Sequence, residues 1–176
     1  IDSFEAYAPD LAMTGPGYDP EHYATLAALE SANFWFKARN ALILWAFQKF
    51  FPRSKSYLEI GCGTGFVLGA IARQFPDLDV HGSEVFVEGL ALAKQRVGTA
   101  RLFQMDAQEI PFHEAFDVIG AFDVVEHITN DTRVLEQMHQ ALRPGGGIML
   151  TVPQHMWMWS SQDEAAHHVR RYNLAE

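Results

Sequence analysis

Tyr57-Leu58-Glu59-Ile60-Gly61-Cys62-Gly63-Thr64-Gly65 is the stretch on which the fold turns. Its first four residues form a short apolar run closed by glycines, the pattern of a buried strand. Glycines at alternate positions let the chain turn tightly and let a ligand approach the main chain. A helical pattern follows from Gly65 to Phe75 and stops at Pro76. Further along, strands are expected over Asp79–Ser83, Arg101–Met105, Phe116–Phe122 and Gly147–Val152. Helices are expected over Val87–Val97 and Asp131–Leu142, the latter capped by Asn130 or Asp131. Pro144-Gly145-Gly146 reads as a turn. Strands alternating with helices predict an α/β, doubly wound, mostly parallel sheet with helices on both faces.

Upstream, Pro9, Gly15, Pro16, Gly17 and Pro20 make the first 20 or so residues read as an irregular arm. Helical patterns follow over Glu21–Leu29 and Phe34–Phe51, and Pro52 ends the second. The division expected is an N-terminal arm and helical lid over 1–55 and a globular domain over 56–176. The chain of 176 residues is long enough for one domain with its own core. A single cysteine, Cys62, rules out an internal disulfide framework and is compatible with a reducing compartment. No apolar run of about 18 residues is present, so no membrane span is expected. No secretory signal is visible, and the sequence starts at Ile1, as a piece of a longer chain would. Its net charge of −9 disfavours broad binding to a phosphate backbone. Arg170-Arg171, the one notable basic cluster, reads as solvated or paired.

Ligands of such sheets sit at the carboxyl ends of the strands. The first loop has GxGxG spacing, unlike the GxGxxG of pyrophosphate binders, and no Walker lysine follows it. Glu59 precedes its first glycine by two residues. An acid aimed there repels a diphosphate and suits a positively charged ligand, unless it is simply a solvated strand-end acid. Glu84 stands 23 residues after Gly61, where a dinucleotide fold places its ribose-binding acid. A carboxylate accepts both hydroxyl hydrogens of a ribose diol. Asp106 can accept from an exocyclic adenine amine, and the Ala107 amide can donate to a ring nitrogen. With Gly120-Ala121-Phe122-Asp123, these ends describe a pocket for a cationic group, a ribose and an adenine.

The opening segment resembles motif I of class I S-adenosylmethionine-dependent methyltransferases. His81-Gly82-Ser83-Glu84, Asp106 to Phe112, Phe116 to Ile119, Phe122 to His127 and Leu142 to Gly147 resemble the same family in the same order. The likeness covers roughly Tyr57 to Gln154. It implies a Rossmann-like sheet of seven strands, the last antiparallel. The 24 residues after Val152 do not read as a strand pair, so the C-terminal strands are expected to be missing from this chain. The resemblance also implies S-adenosylmethionine as cofactor, with S-adenosylhomocysteine as product. The methyl group would pass to an O, N or C nucleophile of a small molecule in the cytoplasm. Glu59 and the loop of Gly61, Cys62, Gly63, Thr64 and Gly65 would hold the methionine portion, with Cys62 acting through packing. Glu84 would take the ribose hydroxyls, Val85 would lie beside the adenine, Asp106 and Ala107 would hold its edge, and Phe122 would flank the sulfonium. Two alternatives stand beside this reading: a regulatory module that binds the cofactor without turnover, and a nicotinamide-dependent dehydrogenase.

On the acceptor side, His127 is the candidate general base, or a structural histidine bonding the loop after strand four. Asp123, Glu126 and His127, with His155, have the residue types of a metal site. The family carries similar residues without metal, and none is expected. Trp35 and Arg39 share one helix face. The resemblance makes Arg39 the partner of the cofactor carboxylate; otherwise Trp35 is core and Arg39 is surface. His155-Met156-Trp157-Met158-Trp159 lines an apolar pocket or packs under further chain. The string His168-Val169-Arg170-Arg171-Tyr172 resembles a segment of ubiquinone- and menaquinone-type methyltransferases and carries no assigned role.

Overall fold

The computed structural model describes residues 1, 4–12 and 22–174. Its strands are β1 (Glu5–Ala6), β2 (Ser56–Ile60), β3 (Asp79–Glu84), β4 (Arg101–Gln104), β5 (Phe116–Phe122) and β6 (Leu142–Thr151). They form one sheet in the order β1-β4-β3-β2-β5-β6, and every pairing is parallel. The expected α/β sheet is therefore present. Among the described residues no strand follows β6, in keeping with the two strands expected to be missing. The sequence order reverses beside β2, so the cleft above β2 lies at the switch point where open α/β sheets bind ligands.

β2 is buried along its whole length, Ser56 and Glu59 included, as its central place in the sheet requires. Alternate residues feed two cores. Tyr57, Val80, Leu102, Val118 and Phe122 pack under α2 (Phe34–Phe50), α3 (Phe66–Gln74) and α4 (Val87–Arg96). Leu58, Ile60, Ile119 and Ala121 face α5 (Asp131–Ala141) through Val134, Met138 and Ala141. Two further helices, α1 (Tyr23–Glu30) and α6 (Ser161–Ala165), lie at either end of the chain. Asn33 caps α2 and Asn130 caps α5, each accepting a backbone N–H of the first turn. Of the expected first helix, Glu21 lies outside the described residues.

Two expectations are corrected. The arm is not wholly irregular, because Glu5 and Ala6 add an edge strand to β4. Gln104, fully buried, holds it there: its side chain accepts from Ala8 N–H and donates to the Ala8 and Val85 carbonyls at 2.8 and 2.9 Å. Tyr7 packs on Phe103 and Phe112, extending an aromatic cluster that includes His81 and Phe116. Two paired residues leave no periodic signal, so only these distant contacts make the strand. Second, Pro144-Gly145-Gly146 lies within β6 rather than before it. The ladder pairs Phe116 with Leu142, shifts register, and resumes at Val118 and Gly147. An edge strand tolerates proline because one row of its amides faces outward. Gly15, Pro16, Gly17 and Pro20, which with Pro9 led to the irregular reading, lie outside the described residues.

Gly120 on β5 is a packing requirement. A Cβ there would lie 2.5 Å from Tyr57 Oη and 2.9 Å from the Phe122 ring. Gly120→Ala should lose about 1–3 kcal/mol in urea unfolding. Part of that loss should return when Tyr57→Phe removes the hydroxyl. An alanine variant as stable as the parent would refute this account of the packing.

Candidate functional site

The loop after β2 is shaped by backbone conformation. Gly61, Gly63 and Gly65 all have positive φ, at 62°, 51° and 75°. A Cβ on Gly65 would stand 2.9 Å from the Ala93 backbone, and one on Gly61 would stand 2.6 Å from Val124. Only glycine permits this turn while α4 and the segment after β5 press against it. Above the loop opens a cavity of about 1600 Å³, lined by the ends of β2, β3, β4 and β5 and by α1, α2 and the segment after β6.

Of the residues expected at the site, Arg39, Glu59, Gly61, Cys62, Gly63, Thr64, Glu84, Val85, Asp106, Ala107, Phe122 and His127 all line this cavity. Gly65 caps the base of α3 behind it. Glu59 is not a solvated acid. It is buried, and the Tyr57 hydroxyl donates to it at 3.0 Å. Burial pushes its carboxyl up to about 8, against the opposing pull of Tyr57 and Arg39. Glu84 is buried too. It accepts the Gly63 and Val85 amides at 3.0 and 2.8 Å, which ties the end of β3 to the glycine loop. Burial raises its pKa while these amides and the Tyr23 hydroxyl oppose the rise. Asp106 accepts the Gln108 amide at 2.9 Å, closing the turn after β4. Cys62 packs in the core with its thiol pushed well up by burial, as an inert side chain.

Arg39 is half-buried and lies over the Trp35 and Phe36 rings, at 4.9 and 5.7 Å to their centroids. It is ion-paired to Asp123, which also accepts from the Thr151 hydroxyl at 2.9 Å. Its Nε has no partner. Asp123 is thereby engaged away from Glu126 and His127. His155 stacks on Trp157 and does not line the cavity, so the structure does not assemble the four-residue metal constellation suggested by spacing.

Burial pushes His127 down to about 4, with His168 adding to the effect, so its ring is neutral at physiological pH and a weak proton acceptor. The backbone of Ala166 and His167 opposes that shift, which fits the structural alternative.

The structure adds residues that the sequence did not single out. Glu30 on α1 accepts from Thr64 of the glycine loop at 2.7 Å and from Arg96 of α4 at 2.5 Å. Arg96 also donates to the Ala27 carbonyl at 3.0 Å. This buried group fastens α1 over the loop. Its members stand 34 and 32 residues apart, so no local pattern reveals it. Asp163 on α6 is the second. It is buried, caps its own helix through Ser160, and accepts from Arg171 at 2.6 and 2.8 Å. A serine three residues before an acid is a capping signal that spacing alone offers.

The comparisons agree with this geometry. A family model described as a methyltransferase domain matches residues 30–175. The probable S-adenosylmethionine-dependent methyltransferase Rv3030 of Mycobacterium tuberculosis is 26 % identical over 160 residues, covering 86 % of this chain and 55 % of that protein. The chain thus spans about half the length of the curated relatives it matches. Trans-aconitate 2-methyltransferase of Deinococcus radiodurans is 30 % identical over 111 residues, covering 62 % of this chain and 40 % of that one. Among solved structures, CalS10, an amino pentose methyltransferase from Micromonospora echinaspora with S-adenosylmethionine bound, aligns with a TM-score of 0.62. It is 27 % identical and covers 72 % of this chain and 54 % of that one. A glycine loop buttressed by buried acids, on this strand order and under this match, has one reading: the chain belongs to the methyltransferase-domain family.

Proposed function

We propose that this chain uses S-adenosylmethionine to methylate an O, N or C nucleophile of a small molecule. One observation carries the reading. Three acids at the tips of neighbouring strands, Glu59, Glu84 and Asp106, converge on one cavity around the glycine loop. The residues fit the cofactor. Glu59 is a buried carboxyl whose pKa is raised by desolvation, and an ammonium beside it would pull that pKa down and pair with the carboxylate. Glu84 would accept the ribose hydroxyls, with Val85 against the adenine and Asp106 and the Ala107 amide on its edge. Arg39, with an unpartnered Nε, would meet the carboxylate, and Phe122 would border the sulfonium end. Residues 1–55 would serve as arm and lid over the cofactor domain of 56–176, which is what the Glu30–Thr64–Arg96 contacts support.

When bound, the sulfonium supplies a methyl group with a good leaving group already in place. The chain contributes position and dryness. Trp35, Phe36 and Phe66 wall the cavity from water, and the Arg39–Asp123 pair fixes α2 to the end of β5. The GxGxG spacing of the loop, unlike the GxGxxG of pyrophosphate binders, argues against the dehydrogenase alternative. A reducing compartment such as the cytoplasm suits the free Cys62 thiol.

Calorimetric titration should show S-adenosylhomocysteine binding and no binding of NADH. Glu84→Ala should weaken the first by about 1–3 kcal/mol; unchanged affinity would remove Glu84 from the ribose site. Release of S-adenosylhomocysteine in the presence of a metabolite extract separates an enzyme from a regulatory module, for which no turnover is expected. The Glu59 carboxyl yields a pH test. Its folded pKa of about 8 exceeds its ordinary 4.5. The stability linked to its bound proton is therefore complete below 4.5 and is lost as pH rises through about 8. Urea unfolding of Glu59→Gln should show a flatter decline of stability across that window than the parent. Equal slopes would show that Glu59 ionises normally.

A further inference from the structure

The string His168-Val169-Arg170-Arg171-Tyr172 carries no cofactor contact assigned above, yet its residues His168, Val169 and Arg171 line the same cavity and belong to a second cluster on its wall. The Val169 amide donates to the Glu126 carbonyl at 2.8 Å. Arg170 and the Tyr172 hydroxyl both donate to Asp131 at the start of α5, at 2.6 and 2.9 Å. Arg171 grips Asp163 through two nitrogens. These contacts press His168 edge-to-face against His127, with ring centroids 4.7 Å apart.

We propose that Glu126, His127 and His168 form a binding site for a divalent first-row transition cation, represented by Zn²⁺. The site opens on the same cavity, and its donor atoms all lie within 4.8 Å of one another. Glu126 has no exposed surface, and neither of its carboxylate oxygens has a hydrogen-bond partner among the described residues. Buried carboxylates are ordinarily paired, hydrogen-bonded or bound to metal. Nδ1 of His127 is likewise buried without a partner. Nδ1 of His168 lies 2.9 Å from Asp163 Oδ1. Asp163, ion-paired with Arg171, can only accept, so His168 Nδ1 carries a proton and Nε2 is the nitrogen left to face a cation. The His168 imidazole is thus oriented through its far nitrogen by an acceptor, as metal-ligating histidines are. Two imidazoles and one carboxylate suit Zn²⁺ and its neighbours better than Mg²⁺ or Ca²⁺, which take oxygen donors. Three protein donors leave a coordination position facing the cavity, where a heteroatom of the methyl acceptor would bind.

The test is Zn²⁺ titration of the metal-free full chain by calorimetry, with no cofactor or acceptor present. One equivalent should bind, with a dissociation constant on the order of a micromolar or tighter. Glu126→Gln and His168→Gln should each weaken binding by about 100-fold or more, and Asp163→Asn by about 10–100-fold. His139→Gln, an exposed histidine on α5, should leave it unchanged. Proton NMR of the Co²⁺-loaded parent protein covers the case in which a core variant fails to fold: two strongly shifted exchangeable imidazole N–H signals are expected. No stoichiometric binding, binding that survives both Glu126→Gln and His168→Gln, or the absence of the shifted signals would overturn the proposal. S-adenosylhomocysteine affinity, measured in parallel without metal, reports on the methyltransferase reading independently.

Discussion

A carboxyl group buried at the tip of the central strand organises this protein. Glu59 points to the same face as Tyr57, the face packed under α2, α3 and α4. The Tyr57 hydroxyl reaches up to meet it, and Gly120 on the neighbouring strand gives the Tyr57 ring room to do so. Two residues later the chain must turn with positive φ, because Val124 leaves no space for a side chain at Gly61. The acid, the tyrosine and the glycines are therefore parts of one packing solution, and it creates a dry site with a latent negative charge. The protein's own Arg39 does not neutralise that carboxyl by direct contact, because it is paired with Asp123.

Around that centre the chain uses buried polar groups to fix elements that its small apolar core would hold loosely. Gln104 fastens the N-terminal strand to β4. The Glu30–Arg96 pair fastens α1 to the glycine loop. Asp163 gathers His168 and Arg171, and Asp131 gathers Arg170 and Tyr172. Removing one member of such a group strands its partner, which costs far more than the pair contributes. Glu30, Asp163, His168 and Arg171 of these groups also line the cavity, so part of the device that orders the flanking segments also shapes it.

The legible part of this architecture was the part written in local pattern. The run Tyr57–Ile60, its glycines and the acids at the ends of β2, β3 and β4 were readable because a buried strand needs consecutive apolar residues and a tight turn needs glycine at set positions. Helix boundaries fell within a residue or two because Pro52, Pro76 and the Asn130 cap act on their own neighbours. The edge strand Glu5–Ala6 and the strand pairing through Pro144 were not readable, because each depends on a partner far along the chain. At the site, spacing grouped Glu126 and His127 with Asp123 and His155. Folding paired Asp123 with Arg39 and brought in His168 from 41 positions beyond His127.

The sequence by itself determined the alternation of strands and helices, the glycine loop and which acids stand at the strand ends, for those follow from steric and hydrophobic rules acting within about ten residues. Tertiary structure alone decided which charges neutralise one another, how Glu59 and Glu126 lose their solvent, and which imidazoles share a wall of the cavity. Electrostatic partnership and desolvation are properties of distance and burial in space, and neither is encoded in the separation of residues along the chain.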